Sequence, residues 1–220
     1  METPESREVC ETSGAVMNDK SQGDTVRRLI TLFLFVLATS ISVVSQAPNR
    51  QDGHPDGRPD WRAVVDEDLP LLGHRNWILI ADSAYPEQSS PGVETVETEA
   101  SQIEVLRYVL GALDRSIHLR PEIFLDKELA FVAEEDASGV SAYRRELHAV
   151  LANYAPESLL HEQLIGRVDE TGKTMRVLVL KSRMAVPYSS VFIRLNCKYW
   201  GDDAEKRMRA RMAKGEPVDR

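Results

Sequence analysis

Two polar residues with useful chemistry flank one apolar stretch of strand length. His74 stands in a Gly-His pair ahead of residues 77–81, and Asp82 follows directly after them. An imidazole with an ordinary pKa of about 6.5 takes up and releases protons near neutral pH, and a carboxylate accepts hydrogen bonds from hydroxyl groups. Each residue also has a plain structural interpretation, as a locally satisfied turn histidine and as a cap for the next segment.

The apolar stretch between these two residues predicts a buried β-strand. In an extended chain rising about 3.3 Å per residue, His74 and Asp82 would be up to roughly 25 Å apart. They can share one site only if the turn before residue 77 folds back or if another subunit supplies one of them.

A second polar stretch lies near the end of the globular part. Residues 178–193 predict a strand, a short break at Pro187 and Tyr188, and another strand. Gly-His followed by Ala-Asp-x-x-x-Pro early in the chain, with Pro-Tyr-x-Ser opening the last strand, resembles the D-ribose pyranase and L-fucose mutarotase family (RbsD/FucU). The resemblance spans about residues 69–195.

This resemblance implies an α/β fold: a single domain with a central mixed β-sheet flanked by helices. It also implies an isomerase that interconverts the cyclic forms of a free monosaccharide without a cofactor. Such a reaction needs one proton removed from an oxygen and one delivered to another, with no covalent intermediate. Family members assemble into ring-shaped oligomers, often decamers, with sites near subunit contacts, and so a homo-oligomer is expected.

The resemblance also assigns roles to five residues of this chain. His74 would be the general acid/base, Asp82 would accept hydrogen bonds from sugar hydroxyls, and Tyr188 would donate or accept at another hydroxyl. His161, in a His-Glu-Gln-Leu segment, corresponds to a family histidine that contacts the sugar; a histidine on the surface of a helix is the alternative. Ser190 takes the substrate-binding place where the family usually carries asparagine.

Three departures from the family pattern bear on the substrate. Ser190 lacks the amide that donates and accepts at once. Arg183 and Met184 stand where relatives carry Gly-Glu, and Asp82 is followed by Ser-Ala where Ala-Gly is usual. These differences weaken an assignment to ribose or fucose. They leave open a second hypothesis, an exported sugar-binding or scaffold protein that kept the fold and lost catalysis.

Composition excludes several other classes of protein. The chain has 220 residues, 42% of them hydrophobic, and a formal net charge of −8. A nucleic-acid-binding protein would be expected to show a concentrated basic face. Cys10 and Cys197 are the two cysteines, and neither belongs to a zinc-binding pattern. We therefore expect no metal.

The N-terminal 47 residues predict an export signal. Arg27 and Arg28 precede an apolar run at residues 29–44, and Ser45 and Ala47 are the small residues that a signal peptidase would recognise. Cleavage would give a periplasmic or secreted protein. The alternative is an uncleaved membrane anchor, because the run lies near the lower limit of about 17 residues for a spanning helix.

The rest of the chain divides into three parts. Residues 48–60 contain three prolines and two glycines and predict a disordered linker. Residues 61–200 form the predicted domain, with helices at its start, after Ser101 and around His161, and strands that include residues 129–133, 176–181 and 191–195. Residues 201–220 form a charged, helix-prone tail.

Overall fold

The computed structural model describes residues 60–217. The predicted signal or anchor at residues 1–47 and nearly all of the predicted linker lie outside this part of the chain. Within residues 60–217, no helix is long and apolar enough to cross a membrane.

The described residues form five α-helices, six β-strands and a short 3₁₀ helix. The helices are α1 (Trp61–Asp68), α2 (Gln102–Arg115), α3 (Val140–Val150), α4 (His161–Gly172) and α5 (Asp202–Lys214). The strands are β1 (Trp77–Ala81), β2 (Val93–Glu97), β3 (Leu119–Asp126), β4 (Glu157–Leu159), β5 (Val177–Lys181) and β6 (Val191–Cys197). The 3₁₀ helix, Lys127–Phe131, follows β3.

All six strands belong to one mixed sheet in the order β2-β5-β1-β6-β3-β4. Strand β6 runs antiparallel to both of its neighbours, whereas the other three pairings are parallel. The carboxyl ends of five strands and the amino end of β6 therefore lie along one edge of the sheet, the carboxyl edge. The opposite edge is the amino edge. This architecture confirms the predicted α/β fold with a central mixed sheet flanked by helices.

Helices cover both faces of the sheet. Ile78 and Ile80 of β1 pack in one apolar cluster with residues of α1, α2 and α3. Trp77 and Leu79 belong to a second cluster, to which α4 contributes Leu164 and Val168. The predicted strand at residues 77–81 is confirmed, and it is buried on both faces because helices lie on each side.

The helix predicted after Ser101 is confirmed as α2, and it begins at the predicted place. The Ser101 hydroxyl accepts a hydrogen bond from the backbone N–H of Glu104 and so caps α2. The strand predicted at residues 191–195 is also confirmed, in β6, where Val191 and Ile193 pack in the first cluster and Phe192 packs in the second.

The strand predicted at residues 129–133 is wrong. The chain has its strand earlier, in β3, and residues 127–131 form the 3₁₀ helix. Pro121 lies within β3 opposite Leu195 of β6, and β4 pairs only with the last three residues of β3. Proline is tolerated there because its missing N–H faces the unpaired side of the strand.

Two glycines fix the end of α4 against the start of β2. The N–H of Gly92 donates to the carbonyl of Gly172 at 3.0 Å. A Cβ on Gly92 would lie 2.2 Å from the carbonyl oxygen of Met175, and one on Gly172 would lie 2.6 Å from a methyl group of Val93. No side chain fits at either place, because both clashes are far inside van der Waals contact.

We predict that Leu164→Ala destabilises the protein by about 2–5 kcal/mol, the range for deleting a buried leucine. Leu164 is fully buried and anchors α4 on the sheet. Chemical denaturation measures the change. The matched control is Leu71→Ala, whose side chain is 75% exposed and whose loss should cost less than about 0.5 kcal/mol. Equal effects of the two substitutions would contradict this account of the core.

Candidate active site

Polar residues from four segments meet at the carboxyl edge of the sheet. Asp82 follows β1, Asp126 ends β3, His161 begins α4 directly after β4, and Tyr188 precedes β6. Strand direction brings these residues together although they are far apart in sequence.

The centre of this site is a hydrogen-bonded pair, His161 and Asp126. The imidazole Nδ1 lies 3.1 Å from Oδ1 of the carboxylate. The Asp126 side chain has no exposed surface, whereas the imidazole is 31% exposed. The histidine therefore faces outward from the buried carboxylate, with Nε2 as the ring nitrogen left for a ligand.

Burial raises the pKa of Asp126 to about 6, and Glu128 and Asp82 add to the rise, while His161 opposes it. Its second oxygen, Oδ2, is buried without a hydrogen-bond partner among residues 60–217. A buried polar atom of this kind is uncommon and calls for an explanation, such as a catalytic role or a bound group. The surroundings of Asp126 thus bring its pKa, about 6, closer to neutral pH than the ordinary value of 3.8.

Glu128 fixes the position of His161 from the other side. Both of its carboxylate oxygens lie 3.1 Å from the backbone N–H of His161. This is the first residue of α4, where the N-cap residue, Leu160, makes no side-chain cap. The carboxylate replaces that cap and also interacts favourably with the positive end of the helix dipole.

Asp82 is oriented by Ser190. The Ser190 hydroxyl donates to Oδ2 of Asp82 at 3.0 Å and lies 3.3 Å from the Asp82 backbone N–H, and the N–H of Ala84 donates to Oδ1. Ser190 is buried, with 1% of its surface exposed. The Ser190 hydroxyl therefore hydrogen-bonds Asp82 and fixes its orientation. The asparagine that the family usually carries here has a longer side chain than serine.

Tyr188 stands over the histidine with a strained backbone. Its ring contacts the imidazole of His161 edge-on, with centroids 5.4 Å apart. Its φ is +57°, a left-handed value that is costly for a bulky residue and that clusters at functional sites. The next residue, Ser189, is held by bonds to its carbonyl from the Gln102 amide and the Tyr143 hydroxyl. These buried bonds stabilise the strained turn.

His74 lies elsewhere in the single chain. It is exposed in the turn at residues 73–76, on the amino edge, at the end of β1 opposite to Asp82. The turn is well fixed: the Asn76 side chain accepts from the Gly73 N–H and donates to the Arg176 carbonyl, and the Arg75 N–H donates to the Leu195 carbonyl. One chain thus brings together Asp82, His161, Tyr188 and Ser190, and does not bring His74 to them.

Sequence reasoning missed Asp126 and Glu128. A signal for Asp126 was present, because it follows the apolar residues 123–125 just as Asp82 follows residues 77–81. Placing the strand at residues 129–133 hid this parallel. Glu128 carries no comparable pattern, since its role depends on the position of α4.

Comparisons with known proteins concern the fold. No protein-family model matches the chain, and no curated protein matches its sequence. Among solved structures, Bacillus subtilis RbsD complexed with D-ribose is 13% identical, with a TM-score of 0.45, over 61% of this chain and 92% of that one. FucU from Bifidobacterium longum is 16% identical, with a TM-score of 0.42, over 59% of this chain and 92% of that one.

The fucose mutarotase from Streptococcus pneumoniae, in complex with L-fucose, is 15% identical, with a TM-score of 0.41, over 70% of this chain and 98% of that one. Each sugar is a property of the neighbour that binds it.

We predict that Asp126→Asn becomes more stable relative to the unmodified protein as the pH rises from about 4 to about 6.5. The pKa of Asp126 in the folded chain, about 6, lies above its ordinary value of 3.8. Asp126 therefore holds its proton more tightly when folded, and its stabilising contribution is complete below about pH 4 and lost as the pH rises through about 6. Asparagine cannot ionise and escapes this loss.

The expected difference is at most about 3 kcal/mol over this interval. Denaturation curves of both proteins at several pH values measure it. Asp136→Asn, at an exposed residue, is the matched control and should show no such trend. A constant difference between Asp126→Asn and the unmodified protein would contradict the raised pKa.

Proposed function

We propose that this chain is a cofactor-independent monosaccharide mutarotase or pyranase, an isomerase that interconverts the cyclic forms of a free sugar. The pair of His161 and the buried Asp126, with Asp82 and Tyr188 beside it, is the observation that carries the proposal. Carboxylates and a phenol suit a ligand that presents several hydroxyl groups.

His161 acts as a general acid/base in this proposal. When Asp126 is ionised, Nδ1 of the imidazole donates to it, and the lone pair on Nε2 can take a proton from a sugar hydroxyl. The imidazolium formed in that step is stabilised by the carboxylate, the arrangement that also orients histidine in hydrolytic triads. Asp82 accepts hydrogen bonds from the sugar, and Tyr188 donates or accepts at a further hydroxyl.

The second proton-transfer group is His74, supplied by a neighbouring copy of the chain. Ring opening and closure move a proton at two different oxygens, and one histidine per site serves one of them. His74 projects from the amino edge, while the remaining site residues lie at the carboxyl edge. A head-to-tail contact between copies, which closes into a ring, would bring the two edges together.

The export predicted from residues 27–47 remains part of the proposal, with the enzyme acting in the periplasm, outside the cell or at a membrane. A second candidate is an exported protein that binds sugar without catalysis. The distance of His74 from the other site residues in the single chain favours it, because a chain that never assembles would lack one proton-transfer group.

We predict that the protein accelerates exchange between cyclic forms of at least one aldopentose or deoxyhexose, and that His161→Ala slows this exchange by roughly 10²- to 10⁴-fold. Asp82→Asn and Tyr188→Phe should act mainly on affinity, each by about 1 kcal/mol or somewhat more, since each keeps its shape and weakens one hydrogen bond. Saturation-transfer NMR of the anomeric protons measures exchange at equilibrium.

His148→Ala, at an exposed histidine of α3, is the control and should exchange at the unmodified rate. Exchange at the buffer rate with every common monosaccharide, together with measurable binding of one, would favour the non-catalytic protein. Unchanged exchange by His161→Ala would refute the role given to that residue.

We predict that His74→Ala and His161→Ala complement each other when one cell produces both. Each variant alone should exchange sugar at a strongly reduced rate. Random mixing restores roughly a quarter of the sites, those that combine an intact His161 with an intact His74 from the next copy. Exchange rates of the purified mixture test this, with light scattering on the same sample. A monomer, or a mixture no faster than either variant, would show that copies do not share the site.

A further inference from the structure

A groove on the face of the sheet that carries α4 is rich in arginine. It has a volume of about 470 Å³ and lies toward the amino edge, at the other end of α4 from His161. We call it the arginine groove. It is lined by Arg75, Trp77, Arg167, Glu170, Thr171, Thr174, Met175 and Arg194.

The charge of this groove is opposite to that of the chain. Three arginines and one glutamate line it, whereas the whole protein has a formal net charge of −8. Glu170 is already paired with Lys173 at 2.6 Å, on the exposed side of α4. The lining therefore carries two positive charges in excess, on a protein whose net charge is negative.

Two of the three guanidinium groups have no acidic partner in the part of the chain that the structure describes. Within residues 60–217, neither Arg75 nor Arg167 lies within ion-pair distance of a carboxylate. Arg194 is bonded to Glu122 through Nε at 2.6 Å. Two free guanidinium groups on one groove are arranged to receive an anion, because each offers several donors in a fixed plane.

Two of these guanidinium groups lie near one aromatic ring. The guanidinium carbons of Arg167 and Arg194 lie 5.5 and 5.7 Å from the ring centroid of Phe124. Phe124 stacks on Trp77, with ring centroids 5.6 Å apart. Because Arg194 is paired with Glu122, Arg167 is the one of these two arginines whose charge is left for a ligand.

Hydroxyl donors complete the lining. Thr171 and Thr174 lie at the end of α4, where the negative end of the helix dipole works against an anion. Their surroundings reduce this effect, because the carbonyls of Glu170, Thr171 and Gly172 all accept backbone hydrogen bonds. The threonine hydroxyls and the guanidinium groups are the donors left to a ligand.

We propose that the arginine groove is a binding site for a small dianion, either a phosphomonoester or a dicarboxylate. The two excess positive charges match a ligand of charge −2, which a phosphomonoester approaches at neutral pH. The volume fits a small metabolite, since ligand sites range from about 300 to 1,000 Å³. In the single chain the groove lies at the other end of α4 from His161. Arg75 directly follows His74, so the groove borders the amino edge that the proposed function joins to a neighbouring copy, and anion binding is therefore measured separately from sugar exchange.

The test measures binding to the full chain by calorimetry and by the shift in melting temperature. The probes are glycerol 3-phosphate, inorganic phosphate and succinate, each compared with sodium chloride at the same ionic strength to remove screening effects. A phosphate ligand predicts binding of the first two probes, and a carboxylate ligand predicts binding of succinate.

Arg167→Gln should weaken the binding of the probe roughly tenfold or more, because the substitution removes a charge-assisted hydrogen bond. Arg75→Gln should do the same. Arg145→Gln, at an exposed residue of α3 on the other face of the sheet, removes an equal charge and should leave binding unchanged. The proposal is overturned if none of the probes stabilises the protein beyond chloride, or if Arg167→Gln and Arg145→Gln bind a probe equally.

Discussion

Burial of β1 on both faces is the constraint from which the position of the site follows. All five of its residues are buried, and β5 and β6 occupy its two edges. An unpaired polar side chain along such a strand would cost several kcal/mol, so that polar groups are confined to its ends. Because five of the six strands share one direction, the same rule applied to each strand gathers their terminal polar residues at one edge.

At that edge, a buried carboxylate sets the properties of the site. The side chain of Asp126 is fully buried, and its Oδ2 has no hydrogen-bond partner within the described residues. The carboxylates of Asp82 and Glu128 add to the rise in its pKa. Among residues 60–217, the hydrogen-bond partner of the Asp126 side chain is His161, the first residue of α4. His161 favours the ionised carboxylate and so opposes the rise in the pKa of Asp126 that burial causes.

The sequence allowed the framework to be predicted, because periodicity and burial determine it. The strands β1, β5 and β6 were apparent as apolar runs, and Ser101 was apparent as a helix cap. Strand β3 was not, because Pro121 and its charged neighbours conceal a strand whose outer half pairs on one side only.

The site was predicted in part for a similar reason. Asp82 and Tyr188 lie next to strands, in short motifs, whereas Asp126 and Glu128 act through residues more than thirty positions later in the chain. The left-handed backbone of Tyr188 depends on buried bonds from Gln102 and Tyr143, which no local pattern reveals.

The contact between Gly92 and Gly172 has a consequence for tracing the ancestry of this chain. A side chain at either position would collide with atoms at 2.6 Å or less, whatever reaction the protein performs. Descendants with a different substrate could replace every residue of the site, yet they would need glycine at position 92, where the clash is with backbone carbonyls, and at position 172 as long as Val93 keeps its side chain. The spacing of this pair, together with the strand order, would therefore identify remote relatives after their catalytic residues had diverged beyond detection.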